Sequence, residues 1–239
     1  MKYFIENDTL YELSVFDWEY PDDPCMDNLV TTMCIWWNRY SLGDYEEVGR
    51  RSPVEYLTDL IEERLPEANT YNKSPVELLE LLCTDPDIAV MPLYIYEHGG
   101  MTISTSDIPN PYGHWDSGMC GFIWTDKAKY EGFFGETDDW KNEALNLMRS
   151  EVDEYDMYLQ GEAYITEIVP YDIDESDFDD LDCETVDYFF SNNYGDGLLH
   201  EATERIDVNK VYDSFDEALE AYKKQLVKSG RVFDSLRLA

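Results

Sequence analysis

From Ser150 to Glu204 the chain runs for 55 residues with 18 Asp or Glu and no Lys or Arg. Any fold it adopts must bring these carboxylates together with no basic residue between them in sequence. Over all 239 residues, 53 acidic side chains face 17 basic ones, a net charge of -36. Such an excess opposes compaction through self-repulsion, and it goes well beyond the magnitude of about 2–8 that suffices to keep a small domain soluble. It excludes a phosphate-binding surface over most of the molecule. What it can meet is a basic surface, including one that otherwise meets nucleic acid.

The acidity does not signal disorder. Hydrophobic residues make up 44% of the chain and aromatics 15%, with 19 Tyr and 6 Trp, which is ample for a buried core. Cys25, Cys34, Cys83, Cys120 and Cys183 are dispersed and odd in number, so they read as reduced thiols. The start, Met1-Lys2-Tyr3-Phe4, lacks the charged and apolar regions of a signal peptide. No apolar run reaches the roughly 18 residues of a membrane span. The expectation is a soluble intracellular protein, without membrane contact.

Helix starts are the clearest local signals. Ser52-Pro53-Val54-Glu55 and Ser74-Pro75-Val76-Glu77 each combine a capping box with proline at the first helical position. The first predicts a helix with Val54, Leu57, Leu60 and Ile61 on one face, the second a helix with Val76, Leu78, Leu79 and Leu82. A longer helix starts near Thr137 or Asp138, with Ala144, Leu145, Met148, Val152, Tyr155 and Leu159 in period, and Gly161 as its stop. Ser214-Phe215-Asp216-Glu217 opens a last helix closing at Gly230, with Gly132 to Gly135 read as loop.

Strand-like segments run from Ile88 to Tyr96, Met101 to Ser104, Cys120 to Thr125 and Ala163 to Val169, with shorter ones at Leu13–Trp18 and Lys210–Tyr212. These predict an α+β fold with a largely antiparallel central sheet and several capped helices packed around it. The chain reads as one domain over 1–239. The alternative is a mainly helical part, 1–87, followed by an α+β part, 88–239, that carries the acidic segment. Loops are expected at Ser106–Gly118 and Pro170–Cys183.

The residues offer three chemistries to compare. His98, Ser104, Trp115, Asp116 and Ser117 gather around two turns, so His98 as base, a serine as nucleophile and Asp116 as orienting group form an alternative ligand pocket or active site. Against this, His98-Gly99-Gly100 is hairpin chemistry, Asp116-Ser117-Gly118 is turn chemistry, and no Gly-x-Ser-x-Gly elbow accompanies them. Asp172, Asp174, Glu175, Asp177, Asp179, Asp180 and Asp182 have the composition of a calcium loop. Counted from Asp172, however, Asp177 stands where an EF-hand needs Gly and Cys183 where it needs Glu. No phosphate-binding glycine motif is present. No cofactor and no metal are expected.

The acidic run itself is the strongest feature. Side chains on one strand face stand about 6.6–6.8 Å apart, helix positions i and i+4 about 6 Å along the axis, and duplex DNA carries one charge per about 3.4 Å of each strand. Glu151, Asp153, Glu154 and Asp156, with Asp172, Asp174, Glu175, Asp177, Asp179, Asp180 and Asp182, can thus present charge at a density comparable to a duplex. Aromatics interleave with these acids, Tyr155, Tyr158, Tyr164, Tyr171, Phe178, Tyr188, Phe189, Phe190 and Tyr194 among them.

Several segments together resemble a family of uncharacterised acidic phage and mobile-element proteins of Gram-positive bacteria. They are Asp27-Asn28-Leu29 to Met33-Cys34, Arg39 to Asp44, Leu93 to Gly100 with Ser104, Trp115-Asp116-Ser117-Gly118 to Ile123, and Glu151 to Tyr164. The Trp-Asp-Ser-Gly segment is the most specific. The chain departs from the family pattern at Cys25-Met26, where a Trp is expected, and at Ile35-Trp36-Trp37-Asn38, where a His is expected. The resemblance brings no activity with it. It implies an accessory phage-type product working in the bacterial host cytoplasm. The acidity then points to a basic host protein as partner, such as a nucleic-acid-binding defence complex. The protein then blocks that surface as a mimic and binds no nucleic acid itself. The alternative is an enzyme or small-ligand binder built on the His98 cluster.

Overall fold

The computed structural model describes residues 1–239 other than 8, 28, 38–39, 45–47, 49–50, 108–115, 172–183, 207–209 and 229–239. Among these the fold is α+β, with antiparallel sheets and helices packed around them. The chain divides into two compact units, one formed by Met1–Pro21 with Glu162–Ala239 and the other by Asp22–Gly161. The strands accordingly form two sheets, one in each unit. The boundary between residues 87 and 88 considered from sequence falls within Asp22–Gly161.

In the continuous unit, β3 (Thr32–Ile35), β4 (Ile88–Glu97), β5 (Met101–Ser104) and β6 (Ser117–Asp126) form a sheet in the order β3-β6-β4-β5. Period-2 alternation sends Met33, Ile35, Ala89, Leu93 and Ile123 to one face, where Cys120 joins them at a β-bulge facing Leu93 and Tyr94, against Ala144, Met148, Val152 and Tyr155 of a long helix, α4 (Trp140–Gln160). Cys34, Ile88, Val90 and Phe122 go to the other face, against Leu57 and Ile61 of α1 (Pro53–Arg64) and Leu78, Leu79 and Leu82 of α2 (Pro75–Leu82). Between β6 and α4 lies α3 (Lys127–Phe134), capped by the Asp126 carboxylate accepting from Lys129 N–H. The segment expected to be loop at Gly132 is therefore the end of a helix.

Both capping boxes form. Ser52 and Ser74 accept from the N–H of Glu55 and Glu77, and those glutamates accept in return from the serine N–H groups at 2.8 Å. Val54 and Val76 are exposed, however, because Tyr56 supplies the buried ring of α1 and three leucines suffice for α2. Gly161 ends α4 in the left-handed region, φ 76°, where its N–H closes on Met157 and Tyr158 carbonyls.

In the discontinuous unit, β1 (Lys2–Glu6), β2 (Thr9–Asp17), β7 (Ala163–Tyr171), β8 (Glu184–Phe190) and β9 (Val211–Tyr212) form a sheet ordered β8-β7-β2-β1-β9. One face, with Phe4, Leu13, Tyr164 and Phe189, packs on Ala202 of α5 (Asp196–Arg205). Leu10, Tyr3, Ile5 and Tyr171 on the opposite face pack on Ala218, Leu219 and Tyr222 of α6 (Phe215–Lys228). Ser214 caps α6 as its sequence predicts, its hydroxyl accepting from Glu217 N–H. The expected stop at Gly230 lies outside the described residues.

Close backbone approach fixes the β3–β6 pair. Ile35 lies opposite Gly121, and a Cβ at Gly121 would collide with the Cys34 carbonyl oxygen. Because that obstacle is backbone and not a flexible side chain, Gly121→Ala is expected to lower stability by about 3 kcal/mol, the upper end of overpacking costs. Urea denaturation of the two proteins checks this.

Candidate functional site

The four acidic residues expected on α4 divide into two kinds. Asp153 and Glu154 are exposed. Glu151 turns toward the chain before β3 and accepts a hydrogen bond from the Thr31 hydroxyl. Asp156 accepts from the backbone N–H of Ile103 at 2.8 Å, which occupies a donor of edge strand β5, and from Gln160 Nε2 at 2.7 Å. Two of the four thus serve the unit's own interior. The remaining expected partner residues, Asp172, Asp174, Glu175, Asp177, Asp179, Asp180 and Asp182, lie outside the described residues.

Glu151 is the centre of a buried polar cluster that the sequence did not mark. Asp44 accepts from Met33 N–H, Gly43 N–H donates to the Tyr155 hydroxyl at 2.8 Å, and Asp44 N–H donates to the Met33 carbonyl at 2.8 Å. These bonds bind the segment after β3 to both the sheet and α4. Burial pushes the Glu151 carboxyl up to about 7, with the Asp44 and Glu154 charges adding to the rise while the Thr31 hydroxyl and Lys129 oppose it. Burial likewise raises the Cys25 thiol and the Tyr155 hydroxyl well above their ordinary values. The arrangement holds a protonated carboxyl group near neutrality. Its members are tied to backbone, so it reads as an internal brace.

Of the alternative pocket, His98 and Asp116 stand side by side while Ser104 lies away from them. His98 Nδ1 stands 3.5 Å from Asp116 Oδ2, and both side chains are substantially exposed. His98 belongs to the β4–β5 hairpin turn, with His98 N–H donating to the Gly100 carbonyl and Gly99 at φ 78°. Ser104 lies opposite Tyr94, at the far end of β5 from that turn, about 13 Å along the strand by rise per residue. Its hydroxyl accepts from Ser106 N–H. Ser117 is buried opposite Tyr96, on the other side of β4 from β5. Trp115 lies outside the described residues. The described geometry brings together His98 and Asp116 but puts neither serine in a row with them.

Beside them, Glu97 accepts from Trp37 Nε1 at 2.8 Å and from the Tyr40 hydroxyl at 3.0 Å. On the opposite side of this sheet, the starts of α1 and α2 border a half-open apolar cleft of about 220 Å3 between Trp36, Pro53, Val76, Met119 and Phe122. Its lining also includes Leu57, Pro75, Cys120 and Gly121, and no acidic, basic or histidine side chain. Among the described residues, no group of three or more His, Cys, Asp or Glu is placed to hold a metal ion. No described helix is long and apolar enough to cross a membrane.

Charge is shared between the units. The discontinuous unit has 25 Asp or Glu against 8 Lys or Arg, and the continuous unit 28 against 9. Several described cations are drawn onto the protein's own carboxylates: Lys2 on Asp213, Arg51 on Asp59, Arg64 on Asp85, Lys127 on Glu131, Arg205 on Asp187 and Glu201, and Lys223 on Glu220. Lys141 donates to the Asp85 carbonyl, Arg149 to the Asn146 side chain, and Lys210 lies over the Tyr212 ring. Acidity is thus a property of both units and not of the Ser150–Glu204 stretch alone.

Comparison of the chain with protein-family models, with curated proteins and with solved structures finds no match.

The raised carboxyl gives a test of the cluster. The folded protein holds the Glu151 proton at pH values where the unfolded chain has released it. The stability this contributes is fully present below the ordinary value of 4.5 and is lost as pH rises through about 7. Glu151→Gln keeps an acceptor for Thr31 and cannot ionise. It is expected to melt higher than the parent at about pH 8 and to show no such advantage at about pH 4, in thermal scans at both values.

Proposed function

We propose that this protein is an acidic nucleic-acid mimic, a phage-type inhibitor that occupies the nucleic-acid-binding surface of a host restriction or CRISPR nuclease. One observation carries the reading. Two units, each with its own apolar core, both carry a large excess of carboxylates, 25 over 8 and 28 over 9, while the described cations are largely engaged within the protein. Solubility needs far less charge than this. A target's Lys and Arg would take carboxylates of this surface in place of phosphates, so binding would weaken steeply with salt. The resemblance to acidic phage proteins agrees in kind with such a role, and it supports the host cytoplasm as the place of action.

The test is phage plating on bacteria that carry defined restriction or CRISPR systems, with and without the protein. Plating is expected to recover by orders of magnitude against at least one system. Replacing Asp172, Asp174, Asp177, Asp179 and Asp180 together by Asn should abolish the recovery without unfolding the protein. His98→Ala with Asp116→Ala should leave it intact. Recovery that survives the five Asn substitutions and vanishes with the His98 and Asp116 changes would replace the mimic by the ligand-site reading.

A further inference from the structure

The sheet of the discontinuous unit is covered unevenly. Helix α6 packs on the face that carries Tyr3, Ile5, Leu10 and Tyr171. Farther along the same face, Phe16 lies opposite Ile165, and Ile165 opposite Tyr188, so the three form one row across β2, β7 and β8. Phe16 is 51% exposed and Tyr188 54% exposed. Trp18, whose N–H donates to the Ala163 carbonyl, continues the row, its ring 4.9 Å from that of Tyr188 and 6.0 Å from that of Phe190. Small, buried Ala163 lies opposite Phe190, which leaves room for the indole to reach across β7.

The chemistry around this row selects its occupant. None of β2, β7 and β8 contains a Lys or Arg. Glu167 stands two residues along β7 from Ile165, on the same face, with Ser14 opposite it and Glu12 beyond. A second copy of this chain, bearing the same net charge of -36, is repelled from such a face. The protein already shows what suits it. On the reverse face of β8 the Arg205 guanidinium lies 4.8 Å over the Phe189 ring while its Nε donates to Asp187 at 2.6 Å. Strand β8 thus combines a ring and a carboxylate to seat an arginine on one side, and presents Tyr188, Phe16 and Trp18 beside glutamates on the other.

We infer that the Phe16–Trp18–Tyr188 row is a docking surface for an arginine-bearing segment of a basic protein partner, with guanidinium groups stacking on the rings. The inference rests on the proposed function for the sign of the partner and adds a preference within it. Arginine is favoured over lysine because its planar, weakly hydrated cation stacks on aromatic faces. Charge alone does not make that distinction.

The experiment measures binding of labelled poly-arginine and poly-lysine peptides of equal length to the full chain at low salt. The parent should prefer poly-arginine by about fivefold, the yield of one or two exposed cation–π contacts. Phe16→Leu with Tyr188→Leu keeps apolar cover and removes the two exposed rings, leaving Trp18. It should lower the preference for poly-arginine and leave poly-lysine affinity unchanged. Tyr71→Ala, an 87% exposed ring in the other unit, should keep the preference. Circular dichroism of each variant confirms folding, and Tyr188→Leu alone serves if the double variant does not fold. Equal binding of both peptides by the parent, or a preference undiminished by loss of the two rings, overturns the inference while leaving a charge-driven mimic standing. Binding of neither peptide overturns both.

Discussion

Helical cover on both faces of each sheet sets the terms for everything else in the molecule. A sheet packed on one face alone would leave its other face to carboxylates and water, and this chain has carboxylates in excess. With α4 on one side and α1 with α2 on the other, Leu93, Ile95, Phe122 and Ile123 are fully buried within a few residues of the half-buried acids Glu97 and Asp126. At roughly 1.5–3 kcal/mol for each such side chain removed from water, a handful offsets a substantial repulsion between surface charges. The strands can therefore be apolar on alternate faces while the acids gather in helix exteriors and connecting segments.

Carboxylates in turn take over duties that hydroxyl and amide oxygens share in a more balanced protein. Asp23, Asp44, Asp85, Asp126 and Asp156 each accept from a backbone N–H, as do Glu55 and Glu77 in the capping boxes. An anionic acceptor on a backbone donor makes a stronger hydrogen bond than a neutral one, and it needs no counter-cation. This local use explains why part of the acidic surplus is internal. It also separates Glu151 and Asp156, which brace the fold, from Asp153 and Glu154, which face solvent.

Local rules made the capped helices legible. Ser52, Ser74 and Ser214 each fix a start through a side-chain bond that sequence spacing displays, and Gly161 fixes an end through its positive φ. Helices α3 and α5 were less visible. The first contains Gly132 among aromatics, and the second follows Gly195 with no side-chain cap. Strand β1 has only five residues, three of them half-buried, and β8 follows directly on the acidic run. At the sites the limit was distance along the chain. Nothing near Glu151 in sequence announces Thr31 or Asp44, and nothing near Phe16 announces Tyr188, because those neighbours come from the return of remote segments. Ser104 shows the converse, since it is close to His98 in sequence and the strand register carries it away.

The pairing of β2 with β7 reaches Asp17 opposite Tyr164, and Trp18 extends it to Ala163. Everything from Asp22 to Gly161 leaves and rejoins the sheet at that one point, so topologically the continuous unit occupies the loop of a β-hairpin. A hairpin loop is where a polypeptide tolerates inserted sequence at least cost to its own strands. The gene can thus be seen as a five-stranded host carrying a passenger with its own core. The Glu151 brace belongs to the passenger, while the aromatic row belongs to the host. Such an arrangement gives each unit a core and a surface of its own.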